Sequence, residues 1–242
     1  MSFHYPNCPK DVLSHISFRV ERGQTLAIIG ATGSGKTTLI SLIARFYDAT
    51  GGQVLVDGAD VREYAFDALY DRLGYVTQRA VLFSGDVESN VRFGQSAGDA
   101  SEEAVYRALD LAQATEFVAK LPQGVHAPIA QGGANVSGGQ KQRLSIARAL
   151  ARQPEILIFD DSFSALDYRT DARLRAGLAR ELGDTTRIIV AQRIGTIRDA
   201  DQILVLDEGK AVGMGTHEEL MKTCPVYQEI ARSQLSSEEL GA

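Results

Sequence analysis

Apolar positions recur along this chain in two alternating patterns, which predict strands and helices in succession. Short apolar, β-branched runs predict strands at residues 3–5, 16–20, 26–29, 53–56, 74–77, 156–159, 187–190 and 202–206. Helical spacing of apolar residues predicts helices at residues 37–46, 86–93, 102–112, 116–121, 138–151 and 170–182. Between about residues 80 and 152 the pattern is helical without a clear strand, so an α/β core with a helical insertion is expected.

This pattern predicts one domain built from discontinuous parts. Residues 1–78 and 153–232 are expected to form the α/β core together with a β subdomain, and residues from about 79 to 152 a helical subdomain. The polar tail, residues 233–242, is expected to fray. The chain shows neither repeats nor a low-complexity segment.

A glycine-rich segment follows the apolar run at residues 26–29 and ends in Lys36 and Thr37. Glycines allow backbone N–H groups to approach an anion, and the helix that follows adds the positive end of its dipole. Lys36 would reach the β- and γ-phosphates of a nucleotide, and the Thr37 hydroxyl would bind Mg²⁺. The alternative is a strand-to-helix turn that binds nothing. The candidate phosphate-binding residues are Gly30, Ala31, Thr32, Gly33, Ser34, Gly35, Lys36, Thr37 and Thr38.

A second apolar run, at residues 156–159, ends in Asp160 and Asp161. A strand that ends in aspartate can deliver one carboxylate to the Mg²⁺ of a bound nucleotide, and the next residue can address the attacking water. The two acidic residues therefore predict a site for ATP and Mg²⁺.

A second candidate anion site opens the predicted helix at residues 138–151. Ser137 precedes Gly138, Gly139 and Gln140, so a hydroxyl and free N–H groups meet at a helix N-terminus. Because the chain already has a phosphate-binding loop, this second helix start is predicted to serve another subunit's nucleotide. The alternative is a simple serine N-cap followed by a glycine turn.

Composition narrows the class of protein. With 242 residues, 44% of them hydrophobic, the chain can bury a substantial core. A formal net charge of -6 and a pI of about 5.3 argue against a general nucleic-acid-binding surface. The sequence has neither a signal peptide nor an apolar run of the roughly 18 residues that predict a membrane span. Cys8 and Cys224 have no metal-ligand spacing and are read as packing or surface residues.

Taken together, these motifs resemble the nucleotide-binding domain of ABC transporters, and more narrowly of their exporter branch, over about residues 2–230. Residues 30–38 resemble the Walker A loop, 136–140 the ABC signature with Val136 where leucine is usual, Ile156–Asp160 Walker B, and 164–167 the D-loop. Residues 78–83 and 90–94 resemble the exporter form of the Q-loop region. The resemblance implies an α/β P-loop NTPase (RecA-like) core with an antiparallel β subdomain and an inserted α-helical signature subdomain.

The resemblance also implies roles for isolated residues. Tyr5 falls where the family stacks an aromatic ring on adenine, Gln78 where a glutamine contacts Mg²⁺ and the membrane-domain interface, and Asp167 in the D-loop. Each has a plainer reading: a strand aromatic, the end of a strand, and a helix N-cap. Gln131 matches a loop that touches the membrane domains, and His217 is read as part of the first turn of a helix whose capping box is formed by residues 216 and 219.

Two departures from the family pattern bear on mechanism. The general-base position, usually Glu, is Asp161, and the switch-histidine position is Gln192. Aspartate is one methylene shorter than glutamate. Glutamine can donate a hydrogen bond to a γ-phosphate, but unlike histidine it can neither take up a proton nor carry a positive charge. The sequence therefore predicts a site that binds ATP, with Lys36, Asp161 and Gln192 as its catalytic residues, and hydrolyses it slowly.

The resemblance is compatible with three functions: the motor of a membrane exporter, a soluble ABC-type ATPase acting in DNA repair or on the ribosome, and a nucleotide-binding regulator with little turnover. The interval between Walker A and the signature is too short for the coiled coils of DNA-repair members, and only one cassette is present. The exporter motor is favoured. Its expected partners are a second, different nucleotide-binding domain and transmembrane domains at the cytoplasmic face of the plasma membrane, with no nucleic acid. Because such exporters carry membrane helices ahead of the first strand, the chain is expected to be an excised domain.

Overall fold

The computed structural model describes residues 1–94 and 101–234 and divides the chain into two compact units. The first comprises Met1–Leu73 and the chain from Thr186, and the second comprises Gly74–Thr185. The strands of the described residues are β1 (Thr25–Ile29), β2 (Leu55–Val56), β3 (Ala59–Asp60), β4 (Leu73–Val76), β5 (Gly85–Asp86), β6 (Pro128–Ile129), β7 (Ile156–Asp160), β8 (Thr186–Val190), β9 (Gln202–Asp207) and β10 (Lys210–Gly215). The α-helices are α1 (Lys36–Ile43), α2 (Phe66–Arg72), α3 (Val87–Val91), α4 (Glu102–Leu111), α5 (Thr115–Ala119), α6 (Gly138–Ala151), α7 (Tyr168–Glu181), α8 (Ile194–Ile197), α9 (His217–Thr223) and α10 (Pro225–Gln234).

In the first unit, four strands lie in the order β10-β9-β1-β8. Strand β1 runs parallel to both of its neighbours, and β10 is antiparallel to β9. Strands β1 and β9 are continuous apolar runs because parallel strands in the middle of a sheet are covered on both faces. This places the glycine-rich loop at the carboxyl end of a buried strand, where α/β proteins bind their ligands.

In the second unit, β7 lies next to β4, and helices α3 and α4 pack against α6. The helical character predicted for this part of the chain is confirmed by helices α3 to α6. The expectation that it holds no strand is wrong at one place, because β5 and β6 pair antiparallel through Gly85 with Ile129 and Asp86 with Pro128. Two-residue strands leave no periodic pattern that a sequence could reveal.

The N-terminal strands predicted at residues 3–5 and 16–20 do not form continuous ladders. Ser2 and Phe3 make isolated antiparallel bridges to Gly51 and Leu13. Asn7 and His15 have left-handed φ angles of 64° and 53°, which interrupt extended chain. The antiparallel pairing expected for this β part is present in the described residues as these bridges and the β2–β3 hairpin.

Several C-terminal elements were not predicted. Strand β10 contains Gly213 and Gly215 and shows no regular alternation of apolar and polar residues, yet pairing with the fully buried β9 makes it a strand. Ser233 and Gln234 lie in helix α10, whereas the remainder of the tail predicted to fray lies outside the described residues. Among the described helices, none combines the length and the hydropathy needed to span a membrane. The predicted α/β class is confirmed.

Candidate functional site

The glycine-rich loop of the first unit requires glycine at two positions. A Cβ on Gly30 would overlap the Leu206 carbonyl oxygen, so the loop could not pass so close to β9 with any other residue. Gly35 is the N-cap of α1 with a left-handed φ of 98°, and a Cβ there would lie 2.6 Å from Leu13 Cδ2. The backbone around the start of α1 is therefore shaped by the absence of side chains.

Lys36 lies in the first turn of α1 and folds back over the loop. Its Nζ donates hydrogen bonds to the carbonyl oxygens of Gly30 and Ala31, both at 2.8 Å, and lies 3.5 Å from Ser34 Oγ. The first turn of α1 contains no acidic residue to offset the positive end of the helix dipole. The loop thus combines an ammonium group, a helix N-terminus and glycine backbone without side chains. Proteins use these groups to bind phosphate.

Tyr5 lies against the same helix. Its hydroxyl is 3.0 Å from Thr38 Oγ1, while its ring meets Phe3 and Tyr47 edge-on at centroid distances of 5.0 and 5.2 Å. The tyrosine is therefore held by an aromatic cluster beside the phosphate-binding loop. Its stacking on adenine stays a prediction.

Of the two aspartates predicted as Mg²⁺ ligand and base, Asp160 ends strand β7 in the second unit and Asp161 directly follows it. Asp160 and Asp161 are both buried, with relative exposures of 6% and 7%. Tyr75 Oη donates to Asp160 Oδ2 at 3.4 Å, and Gln78 Nε2 donates to Asp161 Oδ2 at 3.2 Å. The structure thus brings Gln78 and the candidate base together, although they are 83 positions apart.

Asp161 has a left-handed backbone, with φ of 46°. Aspartate and asparagine are enriched several-fold in this conformation relative to other non-glycine residues. Position 161 therefore carries an acid one methylene shorter than glutamate, in a left-handed backbone conformation that aspartate tolerates well.

Ser137 begins α6 with a complete capping box. The Gln140 N–H donates to Ser137 Oγ at 3.3 Å, and the Ser137 N–H donates to Gln140 Oε1 at 2.9 Å. The hydroxyl accepts in this cap and keeps its own proton for donation to a further acceptor. The N-cap alternative is thus present in the structure. It leaves the Ser137 hydroxyl as a possible donor at the N-terminus of α6.

The glycines after Ser137 are not explained by this chain's own packing. A Cβ on Gly138 would meet no heavy atom within 4 Å, and Gly138 is not among the glycines with a left-handed φ. A Cβ on Gly139 would lie 3.5 Å from the Ala165 carbonyl oxygen, an ordinary contact. Glycine is a poorer helix former than alanine by about 1 kcal/mol in a helix interior, and the described contacts give no local reason for glycine at these two positions.

Helix α6 is tied to the segments on either side of Gln78 by two side chains that sequence reasoning did not single out as site residues. Arg148 donates to the carbonyl oxygens of Asn90 and Val81 and to Asn90 Oδ1, each at 2.9 Å, and burial lowers its pKa. Gln142 Nε2 donates to the Thr77 carbonyl oxygen at 3.2 Å. These bonds join the serine-capped helix to the segments on either side of Gln78.

Asp167 caps helix α7. The Thr170 N–H donates to Oδ1 at 2.9 Å and the Thr170 hydroxyl to Oδ2 at 2.7 Å, and the backbone hydrogen bond holds the pKa of this carboxyl below its usual range. The N-cap alternative is therefore present in the structure, and the D-loop role of Asp167 stays a prediction. Gln131 lies in the short 3-10 turn Gln131–Gly133.

The remaining candidates lie in the first unit. Gln192 follows β8, and its side chain is exposed while its carbonyl oxygen accepts from Gln234 Nε2 at 2.7 Å. His217 is the first residue of α9, and the capping box predicted between Thr216 and Glu219 is confirmed. Gln234 was not predicted as a site residue, because nothing in its local sequence distinguishes it from other glutamines.

Comparison with known proteins identifies the family of the chain. The profile of the ABC transporter family matches residues 13–164. An uncharacterised ABC transporter ATP-binding protein of Mycobacterium tuberculosis is 50% identical over 241 residues, which cover 99% of this chain and 41% of that protein. An ATP-dependent lipid A-core flippase of Albidiferax ferrireducens is 42% identical over 234 residues, 97% of this chain and 40% of the flippase.

The fold is also shared with a solved structure. A bacterial Atm1-family ABC exporter with ATP bound matches with a TM-score of 0.92 and 37% identity, over 97% of this chain and 41% of the exporter chain. This chain therefore spans about two fifths of the length of these relatives. The predicted P-loop fold is confirmed, and the chain is an ATP-binding domain of the ABC transporter family.

Proposed function

We propose that this chain is the motor domain of an ABC exporter, coupling ATP binding and hydrolysis at a head-to-tail dimer interface to export across the membrane. The observation that carries the proposal is the pair of anion-binding helix starts, α1 after its glycine-rich loop and α6 after Ser137. One nucleotide per chain needs only the first of them. Two relatives, one named as a lipid A-core flippase and one as an Atm1-family exporter, support export as the direction of transport.

The residues of the proposed ATP site are assigned by their motif positions. Lys36 and the loop N–H groups bind the phosphates, Tyr5 stacks on adenine, and Ser137, Gly138 and Gly139 complete a partner's site. Thr37, Gln78 and Asp160 fit a Mg²⁺ ion because they supply hydroxyl, amide and carboxylate oxygens, which Mg²⁺ prefers. When bound, the ion would offset the charge of the phosphates.

We infer that this chain's own site hydrolyses ATP slowly. Asp161 keeps the negative charge of a general base but recedes by one methylene, and misplacement of about 1 Å can reduce a rate roughly 10²-fold. Gln192 can orient a γ-phosphate by hydrogen bonding without carrying charge. The two losses act on one unit and need not multiply.

The proposed partner is therefore a different nucleotide-binding domain that carries the usual glutamate and histidine. A homodimer would place Asp161 and Gln192 at both sites and leave no efficient motor. In a heterodimer the intact Ser137 helix of this chain completes the competent site, and the other site holds ATP while the competent one cycles. The assembly would act at the cytoplasmic face of the plasma membrane through transmembrane domains.

A second candidate function is a nucleotide-binding regulator with little turnover. Asp161 and Gln192 favour it, because both departures spare binding and weaken hydrolysis. In a regulator the N-terminus of α6 would have no nucleotide to bind, whereas in the proposed exporter it binds the partner's nucleotide. Nucleotide turnover by the assembled dimer separates the two functions.

The ATP assignment predicts that Lys36→Ala will weaken binding of ATP–Mg²⁺ at least about tenfold, because a charge-assisted hydrogen bond contributes about 1.5–3 kcal/mol. Isothermal titration calorimetry of this chain measures the change. Lys210→Ala is the matched control, since Lys210 is an exposed lysine at the start of β10. Equal affinity of the wild type and Lys36→Ala would refute the phosphate-binding assignment.

The second helix start predicts opposite effects on stability and activity for Gly138→Ala. The added Cβ meets nothing within 4 Å in this chain, so the free energy of unfolding should stay the same or rise by up to about 1 kcal/mol. ATP hydrolysis by the assembled dimer should fall, because the methyl group occupies space that the partner's nucleotide needs.

The matched control is Gly177→Ala inside α7, where a Cβ would make only an ordinary contact, 3.9 Å from Leu111 Cδ2. It should raise stability in the same way without loss of ATPase activity. Urea unfolding and steady-state ATPase assays measure both quantities. Full ATPase activity of Gly138→Ala would show that nothing approaches this helix start.

A further inference from the structure

The backbone of residues 192–194, here termed the switch segment, lies between β8 and the one-turn helix α8. Helix α8 begins at Ile194, and its N-cap residue Arg193 makes no side-chain capping hydrogen bond. The first N–H groups of a helix have no partner within the helix, so a cap must come from elsewhere. The switch segment contains Gln192, the residue at the family's switch position.

Gln234, in α10, supplies that cap from 40 positions along the chain. Its Oε1 accepts from the Ile194 N–H at 2.9 Å, and its Nε2 donates to the Gln192 carbonyl oxygen at 2.7 Å. One planar amide therefore holds both ends of the switch segment. Because both bonds are made to backbone groups, they do not depend on which side chain occupies position 192.

Helix α10 is itself anchored in the first unit. Tyr227 and Ala231 are fully buried, the Tyr227 hydroxyl lies 2.7 Å from His217 Nδ1, and Gln228 Nε2 donates to the Met221 carbonyl oxygen at 3.0 Å. Burial lowers the pKa of His217 and raises the pKa of Tyr227 to about 12, so this pair is uncharged at neutral pH. These contacts hold helix α10 in place, and the Gln234 side chain of this helix binds the switch segment.

We propose that Gln234 is a positioning residue for nucleotide hydrolysis, acting through the backbone of the switch segment. The proposal rests on the proposed function, in which residue 192 contacts the γ-phosphate. Loss of the Gln234 amide should leave ATP affinity unchanged, because its two hydrogen bonds go to the switch segment and not to the phosphate-binding loop. It should lower kcat because residue 192 is no longer oriented. A displacement of about 1 Å can lower a rate up to roughly 10²-fold.

Two substitutions separate the two arms of the amide. Gln234→Ala removes both hydrogen bonds, whereas Gln234→Glu keeps an acceptor for the Ile194 N–H and loses the donor to the Gln192 carbonyl. Ser233→Ala is the matched control, because Ser233 Oγ donates only within its own helix, to the Ile230 carbonyl oxygen at 2.7 Å. Buried Tyr227 and Ala231 are untouched in all three variants.

The first measurement is amide hydrogen exchange at Ile194 by NMR of this chain. Exchange should become roughly tenfold faster in Gln234→Ala, the loss expected for one hydrogen bond, and stay near wild type in Gln234→Glu and Ser233→Ala. Unchanged exchange in Gln234→Ala would overturn the proposal whatever the enzyme does. This measurement needs neither nucleotide nor partner.

The second measurement is kcat and KM for ATP in the assembled transporter, in the Asp161→Glu, Gln192→His background that is expected to hydrolyse ATP at this chain's site. Both Gln234 variants should lower kcat with KM unchanged, and Ser233→Ala should change neither value. Faster exchange at Ile194 with full kcat would overturn the positioning role. If the background shows neither ATP binding nor turnover, the proposed function fails, and Ile194 exchange alone then decides whether Gln234 holds the segment.

Discussion

Arginine in place of Ser137 will abolish transport-coupled ATP hydrolysis in the full-length assembled pair, whereas Asp161→Asn will reduce it only mildly. Ser137 Oγ lies at the N-terminus of α6 with its own proton available for donation, so in the proposed dimer an arginine there would fill the place of the partner's phosphate. In the same proposal Asp161 serves this chain's own site, which is expected to contribute little turnover. The expected loss for Ser137→Arg exceeds 10²-fold, in line with removal of groups that stabilise a transition state.

The control must remove a serine cap without touching a nucleotide. Ser101 caps α4 in the same unit, with its Oγ accepting from the Ala104 N–H at 3.1 Å. Ser101→Arg should lower stability by about 1 kcal/mol, as should Ser137→Arg, and leave ATPase activity intact. Steady-state ATPase and thermal unfolding of each variant make the comparison. A greater loss from Asp161→Asn than from Ser137→Arg would overturn the asymmetric dimer.

Restoring the usual acid and switch residue should raise hydrolysis at this chain's site. Asp161→Glu with Gln192→His is expected to increase the rate by up to roughly 10²-fold, because the carboxylate regains its reach and residue 192 regains a titratable ring. Each single change should give less than the double change, since the two residues act as a unit. Glutamate at the left-handed φ of 46° should also lower stability slightly, because it tolerates that backbone less well than aspartate.

The assay uses the assembled dimer, because in the proposed head-to-tail arrangement the signature helix at each site comes from the other subunit. Asp184→Glu, an exposed aspartate in the second unit, controls for the added methylene. Product formation is best followed in single turnover, which separates chemistry from release. An unaltered or lower rate for the double variant would show that Asp161 and Gln192 do not limit turnover.

Sequence reasoning predicted elements well where local pattern and tertiary environment agree. Helix α6 was predicted with the bounds it has, since a capping serine, a glycine start and apolar spacing all coincide. The N-terminal strands failed because Asn7 and His15 adopt left-handed φ angles that no residue pattern announced. Strand β10 was missed because its pairing with β9, and not its own composition, makes it a strand.

The sequence by itself determined the phosphate-binding loop, the Asp160–Asp161 pair and the Ser137 helix start. Each of these is a short contiguous segment whose chemistry depends on residue order, because a turn, a strand end or a helix N-terminus is built from neighbouring backbone groups. Only the tertiary structure decided which residues distant in sequence form hydrogen bonds with each other. Gln78 meets Asp161 across 83 positions, and Gln234 meets Gln192 across 42. Such pairs are set by how buried strands and helices pack, and an exposed glutamine carries no local signal of the backbone group that it will bind.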